Sequence, residues 1–344
     1  MSLAKTKAKL TFLSGTPQTG VIQLRTAERD IGGLEVLVSV THCGVCATDA
    51  HDRADGCGLG HEGVGVVVQV GESVSSVSVG ARVGWGWQHT ACLKCRECVT
   101  GYRQYCPQSL GQKFGEREQG AFGDLVIKHQ DFLNLIPEGI ESKHAAPLQC
   151  AGAAVFEALH AADTKSTDRV GVVGLGGLGH MAVQFAKAMG CEVVVFSRNE
   201  VKKEDAMALG AKEFVVVPSQ GPIEGVEGVN VLLCCGELPN FDQYFLALAR
   251  RATIVPLVIQ VEKPVQIAYL PFILPGHRIM ASTEACKKNH SDVLTFAAKH
   301  GIKPWIEEFP MSTQGLSDAL DRLEKGEIRY RAVLSTELGT IFGS

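Results

Sequence analysis

Short apolar runs separated by glycine-containing turns mark the first 150 residues, at positions 35–40, 63–70, 82–85 and 122–127. Each run has four to eight residues, too few for an amphipathic helix but enough for a strand, so this part predicts an irregular β domain. Near Cys150 the pattern changes. Residues 150–162 are alanine-rich and predict a helix, and strand-like runs then alternate with helical ones. Strands are predicted at 169–173, 192–196, 213–217, 229–234 and 252–258, and helices at 178–189, 201–209 and 241–249. Strands joined through helices of this length imply a parallel, doubly wound sheet and an α/β protein. The tail predicts helices at 291–299 and 314–325 and a last strand at 331–334, with no repeats, low-complexity stretches or long linkers.

Length and composition narrow the picture. A chain of 344 residues, 45% hydrophobic and 20% charged, fits a globular enzyme of two domains. The formal net charge of -4 supplies no broad basic face for nucleic acid or an anionic membrane. No apolar run approaches the roughly 20 residues that cross a bilayer. The start, residues 1–10, is lysine-rich but lacks the apolar stretch of a signal peptide. A cytoplasmic protein is therefore expected, with no nucleic-acid and no membrane partner. In a reducing compartment, its 12 cysteines point to metal binding and free thiols rather than disulfides.

Two kinds of chemistry stand out. Directly after the 169–173 strand, Gly174, Leu175, Gly176, Gly177, Leu178 and Gly179 form a G-x-G-x-x-G turn that opens a helix. The first glycine allows the tight turn, the second lets backbone amides approach a pyrophosphate, and the third brings helix and strand close. At the end of the next strand, where an acidic residue would bind the ribose hydroxyls of NAD, the chain has Ser197 and Arg198, with Lys202 and Lys203 beyond. A hydroxyl and cations suit a 2′-phosphate, so the expected dinucleotide is NADP(H).

The second chemistry is metal binding. Cys92, Cys95, Cys98 and Cys106 follow the spacing C-x2-C-x2-C-x7-C, enough to close a tetrahedral shell around a zinc ion that shapes a loop. A catalytic zinc needs three protein ligands and one open position. Cys46, His61 and Cys150 are candidates, with Cys43 a competitor for Cys46 on spacing alone. His42 and His89 have metal-capable side chains but read as ordinary polar residues. Cys43, Cys57, Cys191, Cys234, Cys235 and Cys286 read as free thiols, mostly buried.

The segments GHEGVGVVVQVG, PLQCAGAAVFEAL and VGVVGLGGLGHMAVQFAKAMG, together with the four-cysteine run, resemble the zinc-dependent medium-chain dehydrogenase/reductase superfamily. Within it the chain most resembles the NADP-dependent cinnamyl alcohol dehydrogenase branch, as do FAAKHGIKPWIE and LEKGEIRYRAVL near the C-terminus. The likeness spans nearly the whole chain. It implies a GroES-like β domain over residues 1–150, completed by 285–344, and a Rossmann NADP-binding domain over 151–284. It implies two Zn2+ ions per chain: a catalytic one on Cys46, His61 and Cys150 with Glu62 within reach, and a structural one on Cys92, Cys95, Cys98 and Cys106. Thr48 and His51 match the family's proton relay. The implied activity is hydride transfer between NADPH and an aldehyde or ketone, with a small carbonyl or alcohol substrate and a homodimer as the working form.

One segment departs from the family. Only nine residues separate His51 from His61, where relatives carry a longer stretch that walls the substrate. The shortening implies an altered pocket and keeps a second reading open, NADPH-dependent reduction of an iminium or conjugated C=C bond. Retention of Thr48, His51, Glu62 and the zinc ligands favours carbonyl chemistry. Trp85, Trp87 and residues 269–274 are aromatic or apolar candidates either for pocket walls or for core.

Overall fold

The run at 169–173 becomes the strand Arg169–Val173, buried along its whole length, at the middle of a six-stranded parallel sheet. It belongs to one of two compact units in this computed structural model, which describes residues 7–259 and 264–338. That unit is Ala154–Thr283; the other joins Met1–Ala153 to Glu284–Ser344. Residues 1–6 of the lysine-rich start lie outside the described residues.

In the first of these units Arg169–Val173 pairs with Glu192–Ser197 on one side and Val229–Cys234 on the other. Glu213–Val216 lies beyond the former, and Leu248–Pro256 and Arg278–Ile279 lie beyond the latter. Numbered by chain order, the strands therefore run third, second, first, fourth, fifth, sixth, which is the doubly wound dinucleotide-binding order. Strands buried on both faces read as continuous apolar runs, and VVV and VLL in this sheet do so. The chain is thus α/β, as the alternation predicts.

The helix expected at 241–249 does not form. The segment makes two 3-10 turns, Phe241–Gln243 and Phe245–Ala247, and the strand Leu248–Pro256 begins at once. Phe241, Tyr244 and Ala247 are the buried positions, and their three-residue spacing matches the 3-10 period. Upstream, the expected 150–162 helix is Ala153–Ala161, preceded by a π-helical turn, Leu148–Gly152, that carries Cys150.

The other unit is organised around the strand Glu35–Gly44. Its seven-stranded sheet runs Ile306–Pro310, Arg331–Ser335, Glu35–Gly44, Glu62–Val70, Arg82–Trp85, Asn134–Leu135, with Leu125–His129 also paired to Glu35–Gly44. An N-terminal hairpin, Lys7–Gly15 with Ile22–Asp30, adds a two-stranded sheet. The second strand of that hairpin is largely polar, and for that reason the apolar pattern gave no sign of it. Trp85 is fully buried in the core beside Val83 and Phe122, which settles it as packing; a Cβ on Gly63 would overlap its indole ring. Tyr269 and Leu270 are exposed.

This core also holds a cation. Lys128 is 1% exposed, with its ammonium 2.8 Å from Gln112 Oε1 and 3.3 Å from His89 Nδ1. Gln112 donates in turn to the carbonyls of Glu116 and Gln119, and the Gln119 amide brackets Ile127. Burial pulls the Lys128 ammonium down to about 7 from 10.5 and, with Lys128 and Arg29 nearby, the His89 ring down to about 3. Below about pH 7 folded and unfolded chains both hold the lysine proton, and the full burial penalty is present. Between there and 10.5 only the unfolded chain holds it, so the penalty fades as pH rises. The stability of Lys128→Met relative to the parent chain should therefore fall from mildly acidic to strongly alkaline pH, by on the order of 2 kcal/mol. Urea melts at the two extremes check this; a difference independent of pH would refute it.

Candidate active site and its metal centre

The strand Glu35–Gly44 ends beside the start of Glu62–Val70, with Gly44 opposite Glu62 and Cys43 opposite Gly63. A Cβ on Gly44 would overlap Glu62 Oε2, so the glycine makes room for that carboxylate. The chain then turns into the short helix Ala47–Asp52, whose N-cap is Cys46. Asp49, 2% exposed, joins the two segments: it accepts from Cys46 N (2.9 Å) and Gly60 N (3.0 Å) and lies 3.3 Å from His61 Nδ1.

Cys46, His61, Glu62 and Cys150 bring one donor atom each to within 4.8 Å of one another. His61 Nε2 is buried without a hydrogen-bond partner, as is Glu62 Oε2. Buried polar atoms are seldom left unpaired, and two orphans among two thiols describe a cation site. With Nδ1 held by Asp49, the free Nε2 lone pair is the one available to a metal. Cys43, by contrast, sits in the core with its thiol pushed well up by burial and donating to the Gly44 carbonyl. The competitor for Cys46 is thus outside the donor group.

Charge supports the same conclusion. A hydrogen bond from Cys150, and then His61, push the Cys46 thiol well down against its burial, whereas Cys46 and burial hold the Cys150 thiol well up. One thiolate forms readily and the second is resisted; a divalent cation removes that resistance. For His61, burial would lower the pKa, but Asp49 and Cys46 override it and raise it. Burial and the Cys46 charge outweigh Arg331 at Glu62, whose carboxyl rises to about 7. Arg331, on the strand Arg331–Ser335, ion-pairs Glu62 Oε1 and is equally buried. The donor set of two sulfurs, one imidazole and a neighbouring carboxylate fits zinc with an open position.

Thr48 lies on the same short helix, its hydroxyl 3.7 Å from Cys46 Sγ. His51, three residues on and on the same helical face, is exposed. Cys57 is buried in the core and is not among the donors, and Leu59 and Gly60 beside it are pinned by backbone bonds to Leu13, Ala121 and Phe122. His42 bonds Ser335 Oγ through Nε2 (3.2 Å), so neither it nor His89 joins a metal group. Cys43, Cys57, Cys191, Cys234, Cys235 and Cys286 are all buried free thiols.

Cys92, Cys95, Cys98 and Cys106 form a second group within the same 4.8 Å limit. Backbone amides point at the sulfurs: Cys95 N at Cys92 (3.2 Å), and Gln108 N and Cys92 N at Cys106 (3.3 and 3.5 Å). Amides of Lys94 and Cys95 lower the Cys92 thiol to about 6. Leu93 takes the left-handed conformation (φ 58°) that folds the loop back on itself. Four thiolates with no other donor fit a closed structural zinc.

In the parallel-sheet unit, Gly174 is left-handed (φ 87°), a Cβ on Gly179 would overlap the Gly174 carbonyl, and Gly176 has nothing within 4 Å of its Cβ position. These are the three requirements of a pyrophosphate turn. Gly174, Leu175, Gly176, Ser197, Arg198 and Lys202 line one cavity of about 400 Å³. Lys202 Nζ donates to the Leu175 carbonyl (2.8 Å), tying the cation to the turn. Gly177, Leu178 and Gly179 continue into the helix Gly179–Ala188 and do not line the cavity. Asn199, Asn240 and Gln243 do line it. No motif marks them, nor Arg331. Asp49, three residues after Cys46 and directly before Ala50 and His51, had a local signal in its capping position.

Comparison with known proteins agrees with both halves. Residues 32–138 match the alcohol dehydrogenase GroES-like domain and residues 177–299 the zinc-binding dehydrogenase domain. The chain is 33% identical over 331 residues to aldehyde reductase AdhA of Synechocystis sp., covering 91% of this chain and 95% of that one. It is 32% identical to NADP-dependent alcohol dehydrogenase 6 of Saccharomyces cerevisiae, covering 87% and 88%. The solved cinnamyl alcohol dehydrogenase SbCAD4 of Sorghum bicolor superposes with a TM-score of 0.88 at 30% identity, covering 97% of this chain and 99% of that one. With domain matches in both units and relatives this similar along almost their full length, the chain belongs to the zinc-dependent medium-chain dehydrogenase/reductase superfamily, in its cinnamyl alcohol dehydrogenase-like branch.

Proposed function

We propose that the chain is an NADPH-dependent, zinc-dependent alcohol dehydrogenase working as an aldehyde reductase on small carbonyl compounds. The observation that carries this is the convergence of Cys46, His61 and Cys150, with His61 Nε2 buried and unpaired and its other nitrogen held by Asp49. The unit with the GroES-like match holds the reacting carbonyl, and the parallel-sheet unit holds the dinucleotide. When bound, zinc supplies Lewis-acid polarisation of a carbonyl oxygen and NADPH supplies the hydride. Cys46, His61 and Cys150 hold the catalytic metal, and Cys92, Cys95, Cys98 and Cys106 the structural one. Asp49 faces the ring of His61 and would hold it in place, and Arg331 engages Glu62 Oε1 in an ion pair. Thr48 hands a proton to the product oxygen, and exposed His51 restores it from solvent. Ser197, Arg198 and Lys202 receive the 2′-phosphate, while Gly174 and Gly176 expose backbone amides to the pyrophosphate.

The cytoplasm fits the cysteine chemistry, and among the described residues no helix is long and apolar enough to cross a membrane. A homodimer is supported by the short edge strand Arg278–Ile279 and the exposed Tyr269, Leu270 and Leu274 before it.

Metal analysis should find two zinc ions per purified chain, with Cys46→Ser losing one zinc and the reductase activity while Cys92–Cys106 keep theirs. A variant that retains both ions would exclude Cys46 as a ligand. Asp49→Asn should keep the fold but weaken catalytic zinc about 10- to 100-fold in a chelator titration. Unchanged affinity would remove Asp49 from the metal's support. For the dinucleotide, Arg198→Ala should raise the KM for NADPH about tenfold and leave that for NADH unaltered; equal effects on both would refute the 2′-phosphate assignment. NADPH consumption with aldehydes and not with cyclic imines separates carbonyl from iminium reduction.

A further inference from the structure

The cavity of about 400 Å³ beside the glycine turn has a wall that no sequence motif marks. After the strand Val229–Cys234 the chain runs along the cavity through Leu238 and Pro239 into the 3-10 turn Phe241–Gln243, whose N-cap is Asn240. Phe241 and Tyr244 are buried and seat this turn, the Tyr244 ring meeting Phe196 edge-on at 5.4 Å. Gln243 then reaches the far side of the strand ends. Its Nε2 donates to the carbonyls of Pro218 (3.2 Å) and Gly221 (3.1 Å), which follow the strand Glu213–Val216 at the sheet edge. Ile223 N donates to the Gln243 carbonyl (2.8 Å) beside them. The wall is therefore fixed at both ends.

Its hydrogen-bonding capacity is specific. Residues three apart in a 3-10 turn eclipse one another, and Gln243 N donates to the Asn240 carbonyl (3.1 Å). The two carboxamides thus share one side of the turn, and both residues line the cavity. Each has one half committed. The two carbonyls facing the Gln243 amide nitrogen settle which way that amide points, and its Oε1 bonds no described residue. Asn240 Oδ1 accepts from Asp242 N (3.2 Å), which leaves its Nδ2. What remains on this side of the turn is one acceptor and one donor.

With the pyrophosphate at the glycine turn and the 2′-phosphate at Ser197 and Arg198, the adenine is the part of the dinucleotide that this wall is left to meet. Val217 and Leu238 supply apolar surface there. Adenine carries an amino donor near an acceptor ring nitrogen, the complement of the free carboxamide halves. We propose that Gln243 and Asn240 select the base of the cofactor, Gln243 Oε1 accepting from the 6-amino group and Asn240 Nδ2 donating to a ring nitrogen. The inference rests on the NADP(H) reading of the same cavity. A 6-oxopurine would set a carbonyl oxygen against Gln243 Oε1 with no proton between them. A site built to bond an N–H rejects the analogue that lacks it, here by about tenfold.

The test is calorimetric titration of the full-length, zinc-loaded chain with NADP+ and with its deaminated analogue, nicotinamide hypoxanthine dinucleotide phosphate. The parent chain should bind NADP+ about tenfold more tightly. Gln243→Lys keeps a donor for the carbonyls of Pro218 and Gly221 but offers no acceptor, so the preference should vanish. Gln243→Glu keeps an acceptor and loses the donor, so the preference should persist even where both nucleotides bind less tightly. A residue that only ties the loop at Pro218 and Gly221 would give the opposite pattern. Asn240→Ser retains a cap for Asp242 N and should weaken NADP+ about fivefold; unchanged affinity removes Asn240 from the assignment. A parent chain that binds both nucleotides equally, or a preference that survives Gln243→Lys, overturns base selection and leaves NADP(H) binding intact. Binding of neither nucleotide overturns both. Should Gln243→Lys fail to fold, Gln243→Met, which also lacks an acceptor for the amine, decides by the same ratio.

Discussion

The buried negative charge around His61 is the constraint on which the catalytic unit depends. Cys46 and Cys150 as thiolates, with Asp49 and Glu62, place four anions together, and Arg331 is the fixed cation bonded among them. Ions out of water are tolerated only when matched, and one guanidinium does not match four anions. A divalent cation nearly closes the balance. Asp49 makes that solution geometric as well as electrostatic: one carboxylate receives the amides of Cys46 and Gly60 and faces the ring of His61. Two ligands from separate turns are thereby held in register before any metal arrives. The same carboxylate raises the basicity of the imidazole that binds it.

The two cysteine-rich centres use metal in different ways. The four-cysteine loop is exposed at Leu93 and Lys94, half-buried at Cys95, and anchored by amides aimed at sulfur. There a closed thiolate shell around a metal would take the place of a hydrophobic core and define the loop. At Cys46 the core is already formed, by Val45, Leu59, Trp85 and Ala332, and the metal answers a charge requirement inside it. Four thiolates would leave a metal at the first group no open position, whereas at the second two sulfurs and one imidazole would leave one, with Glu62 beside them and its Oε1 ion-paired to Arg331.

How far the sequence could be read follows from how local each signal is. The glycine turn and its flanking strands were legible because every requirement lies within about one strand–turn–helix unit. The four cysteines were legible for the same reason. Cys46, His61 and Cys150 needed the family resemblance, since their meeting depends on the pairing of Glu35–Gly44 with Glu62–Val70. Arg331 carries no local mark at all; it reaches the site through the sheet pairing of the last strand. The polar second strand of the N-terminal hairpin shows no apolar period of two, and Phe241–Ala247 reads as helix but buries every third residue, the 3-10 spacing.

The shortened segment between His51 and His61 gains its meaning from this charge balance. Its second half turns inward: Cys57, Leu59 and Gly60 are buried, and backbone bonds of Leu59 and Gly60 bind it to Leu13, Ala121 and Phe122, while Ala54 and Asp55 are exposed. Asp52 and Leu59 of this segment line a small cavity together with Asp49 and His61. Gly60, at its end, donates its N–H to Asp49, so the segment is tied to the carboxylate that faces His61.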